Sequence, residues 1–458
     1  MPKRPLALIG GLLLIAIVFY ALSTTINRIK AASEIYLYGY PLVLMENTRK
    51  AFMDDSSYPP NHFVHSRTFP DHTFRTVVRP NRDTLYSVAW LDLSEQPVVL
   101  SVPEIADRYY VMPFMDMWTN VFDAVGTRKT GTAAGKYLIS GPDCDHELPA
   151  GLTKIVSPTQ VVWLIGRLQV HSEKDLNNAL ALQSSFKLMS LQEYNTESWK
   201  DDILEFPTDA QSSNPAAISN ALDARDFLNQ LMRLMGTMHS ISPVDKPMLE
   251  KISSFGLLPD INFDYASLNP WNRFILNQAV SLTQNQLRPS IEASVERELI
   301  NGWAMRTQGI GRYGSDYQTR AAIANIALAA LPSEEAIYAN TTTDGNGELL
   351  SGDHSYRIEF GAGALPPANA FWSLTVYDEN GYLTANPIGR YAIKSRDTLD
   401  INQDGSTTIL LQHEPPKETT NWLPIPKEPF AVTLRMYLPD ETLTSGQWQP
   451  PVISRDGY

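Results

Sequence analysis

The chain has 458 residues, and single hydrophobic cores stop growing near ~250 to 300 residues, so more than one domain is expected. With 43% hydrophobic and 19% charged residues it is neither a disordered, a collagen-like nor a disulfide-scaffold chain. Its 37 basic and 50 acidic residues give a net charge of −13, which leaves no general basic surface for phosphates and sets nucleic acid aside. The one cysteine, Cys144, excludes an internal disulfide, a cysteine-only zinc site and a CxxC redox motif.

Lys3 and Arg4 precede an uncharged run from Leu6 to Leu22, LALIGGLLLIAIVFYAL, which is followed by the polar segment Ser23 to Lys30. Residues 6–22 would span ~26 Å as a helix, the lower limit for crossing a hydrocarbon core and longer than the ~7 to 15 residues of a signal core. A membrane anchor is expected, with a cleaved signal as the alternative, since Ala21 and Ser23 place small residues before Thr24. Either reading exports residues 31–458: to the periplasmic face of the inner membrane if anchored, and to the periplasm or the medium if cleaved.

Between Ser33 and Phe52, Ile35, Tyr38, Leu42, Met45 and Phe52 recur near helical spacing, and Pro41 predicts a break in that helix. From Thr73 to about Val170 the chain turns to short β-rich runs, among them FRTVV, TLYSVAWLDL, PVVLSVP, YYVMPF, KYLIS and VVWLIGRLQV. Ser172 with Asp175 reads as a capping box opening a helical stretch, continued by Ala221 to Met238, Ile291 to Met305 and Tyr317 to Leu331. Strands return as SYRIEF, FWSLTVYD, YAIKS, TLDIN, TTILLQHE and FAVTLRMYL, with Asx-Gly turns at Asp344-Gly345, Asn380-Gly381 and Asp404-Gly405. The expected class is mainly β with a helical middle (α+β), built as two antiparallel β-sandwich or jelly-roll-like domains. The expected boundaries are 1–30 for the signal or anchor, 31–171 for the first β domain, 172–340 for the helical middle and 341–458 for the second β domain.

Asn81-Arg82-Asp83-Thr84-Leu85-Tyr86-Ser87, Asp107-Arg108-Tyr109-Tyr110, the DMWTN segment Asp116 to Asn120, Gly141-Pro142 and Ser157-Pro158-Thr159 together resemble the bacterial domain of unknown function 1254. RYGSDYQTRAA from Arg312 to Ala322, Phe371-Trp372-Ser373, Arg390-Tyr391, Asp404-Gly405-Ser406, Asn421-Trp422-Leu423-Pro424 and Leu434-Arg435 resemble its usual partner, domain of unknown function 1214. The resemblance covers roughly residues 35–170 and 300–451. It implies an exported protein with two β domains and names no substrate.

The segment Phe74 to Asp83, FRTVVRPNRD, read as a strand, places Arg75, Val77 and Arg79 on one face, with Arg82 and Asp83 following Pro80. Such a concentration of guanidinium, amide and carboxylate groups is costly to bury unpaired. One reading is an internal ion-pair cluster completed by Asp116 and Asp123. The other is a polar pocket in which Arg79, Asn81, Arg82, Tyr86, Trp118 and Asn120 hold an anionic or hydroxyl-rich ligand, and Asp83 or Asp116 serves as acid/base. Other aromatics near strand ends, Trp372 and Trp422, are read first as core.

His62, His65 and His72 beside Asp71 lie on a loop after Pro59-Pro60 without HExxH spacing, so no metal site is assigned. Asp143-Cys144-Asp145-His146-Glu147 reads as a solvated acidic loop. Gly309-Ile310-Gly311-Arg312-Tyr313-Gly314 has dinucleotide-binding spacing but follows a helical pattern instead of a strand, and reads as a turn. Asp400 to Gly405 opens like a calcium loop, yet Leu411 stands where a bidentate Glu is needed. Ser184 to Lys187 has SxxK spacing without companion motifs. No cofactor is expected. The leading expectation is an exported envelope protein that binds a small or amphipathic ligand or assembles with itself; the alternative is a metal-independent enzyme acting on a hydroxylated or carboxylated substrate.

Overall fold

The computed structural model describes residues 4–53, 58–75, 77–142, 148–198, 203–206, 214–237, 242–297 and 299–456. The acidic run 143–147, with Cys144, lies outside them. At 31% helix and 27% strand the protein is α+β, with sheets that are mostly antiparallel.

The chain opens with one helix, α1 (Arg4–Met53). Then come β1 (Val64–His65), β2 (Thr84–Asp92), β3 (Val98–Val102), β4 (Tyr110–Asp116), β5 (Val121–Gly126), β6 (Gly135–Ser140), β7 (Thr153–Val156) and β8 (Val161–Gln169). Helix α2 (Leu176–Gln183), strand β9 (Lys187–Ser190), helix α3 (Leu191–Thr196) and strand β10 (Leu204–Glu205) close this half. Helices α4 (Pro215–Ala221), α5 (Ala224–Thr237), α6 (Lys246–Ser253) and α7 (Pro270–Arg297) precede the hairpin β11 (Leu299–Ile300) and β12 (Trp303–Met305), and α8 (Tyr317–Ala327) follows it. The last part holds β13 (Ala336–Thr341), β14 (Tyr356–Phe360), β15 (Ala368–Asp378), β16 (Ala392–Lys394), β17 (Thr407–Gln412), β18 (Trp422–Pro424) and β19 (Phe430–Pro439). Helix α9 (Glu441–Thr444) and strand β20 (Ile453–Arg455) end it.

Two compact units result: residues 1–50, 214–291 and 313–328 form a helical one, and residues 51–213, 292–312 and 329–458 form a β-rich one. In the helical unit, α1 is continuous through Pro41, against the expected break. Proline removes one backbone donor, but Tyr38, Tyr40, Leu42 and Val43 around it are fully buried, and that packing holds the helix together.

The β-rich unit contains two six-stranded and two four-stranded sheets. In its first half the sheet β10-β1-β2-β8-β4-β5 shares a hydrophobic core with the sheet β7-β6-β3-β9, through Leu85, Ala89 and Leu91 of β2, Leu164 and Leu168 of β8 and Val98 and Leu100 of β3. In the second half β11-β12-β13-β19-β15-β16 shares a core with β18-β17-β14-β20, through Leu374, Val376, Leu434, Met436, Ile358 and Ile409. Side chains alternate between faces along a strand, so Tyr86, Arg167 and Val111 point away from the first core, and Tyr338, Phe371, Ser373, Arg435 and Tyr437 point away from the second. These outer faces meet each other: Tyr109, Val111 and Ala124 pack with Ala336, Phe371 and Tyr437. The order of layers is thus four-stranded, six-stranded, six-stranded, four-stranded. The middle strands are covered on both sides, which is why β4 is buried along its whole length and reads as a nearly continuous apolar run.

Several expected elements are corrected. Residues 74–83 contain no strand among those described, because Arg79 has φ 50° and is followed by Pro80, which together turn the chain. The expected helix Ile291 to Met305 ends at Arg297, and Asn301 and Gly302, with φ 54° and 83°, make the turn of a hairpin instead. TLDIN forms no strand. Ser172 makes no side-chain cap, and the capping box is Ser190 with Glu193. The glycines Gly309, Gly311 and Gly314 follow strand β12, but β12 pairs antiparallel with β13, so no βαβ unit surrounds them.

Candidate functional site

The loop 79–83 enters the layer between the two six-stranded sheets and is gripped by the second half of the chain. Arg435 Nη2 donates to the Arg79 carbonyl at 2.9 Å and to the Tyr377 hydroxyl at 2.7 Å. The Tyr377 hydroxyl donates to the Pro80 carbonyl at 2.8 Å, and Lys394 Nζ donates to the Arg82 carbonyl at 2.6 Å. Ser373 Oγ donates to Asp83 Oδ2 at 2.6 Å, and Lys394 Nζ stands 3.2 Å from Asp83 Oδ1. Ser373 is the residue paired with both Lys394 and Arg435 in the sheet, so one cross-strand row presents hydroxyl, ammonium and guanidinium together.

Asn81 donates from Nδ2 to Thr84 Oγ1 at 3.0 Å and to the Tyr437 hydroxyl at 2.9 Å, while its Oδ1 accepts the Asp83 backbone N–H. Arg79 donates to Asn340 Oδ1 at 2.5 Å, and burial holds its pKa below the ordinary arginine value. Arg82 donates to the Pro70 carbonyl, and its guanidinium lies 4.6 Å from the centre of the Tyr391 ring.

Asp116, Trp118 and Asn120 are not part of this constellation. Asp116 Oδ1 accepts the backbone N–H groups of Trp118 at 2.9 Å and Asn120 at 2.8 Å, and Oδ2 accepts Asn120 Nδ2 at 3.1 Å, closing the turn between β4 and β5. Asp116 is level with Val162 of β8, whereas Thr84, next to Asp83, is level with Gln169. Those positions are seven residues apart, or ~23 Å along a strand. The expected ion-pair cluster of Arg75, Arg79, Arg82 and Asp83 with Asp116 and Asp123 is therefore corrected: Asp116 caps its own turn, Asp123 pairs with Lys129, and Lys394 with Ser373 serves Asp83.

The face opposite Asp83 holds groups that sequence reasoning did not single out. Arg167, 5% exposed, is directly paired with Tyr86 across β8 and β2, and its guanidinium carbon lies 5.3 Å from the centre of the Tyr86 ring. Its Nη2 donates to the Ala329 carbonyl at 3.1 Å; Nε and Nη1 are buried, with a loose hydrogen-bonding contact from the guanidinium to the Tyr86 hydroxyl. Burial raises the cost of ionising Tyr86, but the Arg167 charge, hydrogen bonds with Arg167 and Asn81 and the Arg435 charge together outweigh it and bring the hydroxyl below its ordinary pKa. Nearby Glu335 is 2% exposed, and burial raises its pKa even though it accepts from Arg128 Nε at 2.6 Å and the Tyr109 hydroxyl at 3.1 Å.

The three early histidines are used separately. His65, 3% exposed in β1, has Nδ1 2.9 Å from Ser87 Oγ; His72 Nδ1 is 2.9 Å from the Tyr391 hydroxyl; His62 Nδ1 is 2.9 Å from the Pro60 carbonyl. Among the described residues no three His, Cys, Asp or Glu side chains are grouped as metal ligands.

Residues 60–190 match the family described as protein of unknown function DUF1254, and residues 335–441 match protein of unknown function DUF1214. The chain is also similar to the crystal structure of the VPA0106 protein from Vibrio parahaemolyticus, with 24% identity and a TM-score of 0.70, over 93% of this chain and 99% of that one. That likeness shows a shared fold. An uncharacterized protein from Burkholderia cenocepacia is 11% identical with a TM-score of 0.44 over 95% of each chain, too distant to carry an argument. None of the curated proteins matches the chain.

Proposed function

For a chain whose residues 60–190 match DUF1254 and whose residues 335–441 match DUF1214, we propose a non-catalytic protein of the cell envelope that binds a small amphipathic molecule by its acidic group. Residues 6–22 hold it at the periplasmic face of the inner membrane. We read each pairing of a six-stranded with a four-stranded sheet as a sandwich of the jelly-roll kind, and the layer between the two sandwiches as the place of binding.

The observation that carries this reading is Arg167: its Nε and Nη1 are buried with no acceptor at full hydrogen-bond geometry, and the Tyr86 hydroxyl meets the guanidinium only loosely. Leaving a buried charged donor unsatisfied costs several kcal/mol, on the order of 2 to 3, and a carboxylate or phosphate oxygen removes that cost. What weighs against acid/base catalysis is the use already made of the carboxylates. Asp83 serves Ser373 and Lys394, and Asp116 serves its own turn.

Native mass spectrometry of the protein released from its own membranes tests the proposal. The wild type should carry an acidic small molecule that Arg167→Met lacks. Bare polypeptide mass in both would overturn binding, and a discrete ligand-free multimer would replace it with self-assembly.

A further inference from the structure

We propose that the start of α7 and the loop before it form a second membrane contact, an aromatic patch that lies on the bilayer surface where α1 leaves it. This rests on the reading of residues 6–22 as an anchor.

Helix α1 passes from the apolar run into the helical unit without interruption. Leu22 and Ile26 are 55% and 52% exposed, and Arg28 lies six residues beyond Leu22, ~9 Å along the axis. The headgroup zone beyond the hydrocarbon core is roughly 5 to 8 Å deep on each side, so Arg28 sits at its outer edge.

Arg28 fixes what else lies at that level. Its Nη2 donates to Asn272 Oδ1 at 2.8 Å, and its guanidinium lies 4.3 Å from the centre of the Phe255 ring. Asn272 Nδ2 donates to the Phe255 carbonyl at 2.8 Å, tying the first turn of α7 to the preceding loop. Further up α1, Glu34 pairs with Lys251 and Tyr36 is beside Gln284 of α7. Contacts at 28 with 272 and at 36 with 284 mean that α7 runs in the same direction as α1, away from the anchor. Its first turn is therefore its membrane-proximal end.

That end is where large apolar side chains are left exposed. Trp271 and Phe274, 51% and 47% exposed, stack with ring centres 5.6 Å apart, on one face of the helix as i and i+3. Leu258 and Ile261, each 61% exposed, lie in the loop that follows Phe255. Single exposed apolar residues are ordinary, but a stacked Trp–Phe pair flanking Asn272, which holds Arg28, together with two exposed aliphatic residues in the loop before the helix, has the chemistry of an interfacial belt, with apolar side chains at headgroup depth.

The test uses the full chain in liposomes containing a diacyl lipid with a photoactivatable group near its headgroup, with adducts mapped by mass spectrometry. Adducts are expected within 255–274 as well as 6–22, and Trp271→Ser combined with Phe274→Ser should remove most of the former and none of the latter. Leu258→Ser, a variant in the loop instead of the helix, should lower the same adducts. Adducts at 6–22 alone would overturn the proposal while leaving the anchor in place; adducts at neither segment would overturn the anchor as well.

Discussion

Ser373 donates a hydrogen bond to the Asp83 carboxylate at 2.6 Å across 290 positions of sequence. With Lys394 on the other carboxylate oxygen, the contact joins a loop of the first half of the chain to β15 and the edge strand β16 of the second. The polar segment 79–83 is in this sense a fastening. Its carbonyl oxygens and the Asp83 carboxylate are met by Arg435, Tyr377, Lys394 and Ser373.

Arg435 is the donor that most of this fastening depends on. It is 4% exposed and serves the Arg79 carbonyl, the Tyr377 hydroxyl and, at 3.2 Å, Thr375 Oγ1. Arg435→Met keeps the apolar stem but leaves a buried carbonyl without its donor, and should cost about 3 kcal/mol in urea unfolding. Tyr377→Phe removes the donor to the Pro80 carbonyl and an acceptor of Arg435 Nη2, which keeps the Arg79 carbonyl, and should cost about 2 kcal/mol.

Asp116 should behave as a local turn residue. Asp116→Ala frees the N–H groups of Trp118 and Asn120, with an expected loss of about 2 kcal/mol by chemical denaturation. Asp116→Asn, which keeps one acceptor oxygen, should recover about half. Neither should change what native mass spectrometry finds bound, because the turn is at the far end of β8 from Arg167.

His65 should make stability depend on pH. Burial, helped by the nearby Arg67 charge, lowers its pKa from 6.5 to about 4. Between those values the unfolded chain binds a proton that the folded one refuses, so this contribution is intact above pH 6.5 and is lost as the pH falls towards 4. The full loss is about 3 kcal/mol. Urea unfolding at pH 7.0 and 4.5 should therefore show a larger drop for the wild type than for His65→Gln; equal drops would remove His65 from the account.

Much of the β architecture was legible because β2, β3, β4, β6, β8, β15, β17 and β19 coincide with β-branched and aromatic runs bounded by turn residues. Boundaries that depend on one or two residues were not. Asn301-Gly302 is a hairpin turn in the midst of what reads as a helix, and Pro41 is carried by buried neighbours on both sides. The site was legible on one side only. Asn81 and Asp83 announce themselves as a polar cluster, but their partners Tyr437, Ser373 and Lys394 stand about 290 to 360 positions away, and no local pattern links them. Arg167 was missed because β8 is covered on both faces, so alternation marks neither as the polar one; the one available signal was an arginine within VVWLIGRLQV.

Through Ser373 and Lys394, Asp83 fastens the two β halves together. A double-mutant cycle in urea unfolding with Asp83→Asn, Lys394→Met and the double variant measures this directly. Each single change should destabilise and the pair should be coupled by about 2 kcal/mol, the double variant losing less than the sum. Fully additive effects would contradict it, since the carboxylate and the ammonium would then be independent of each other.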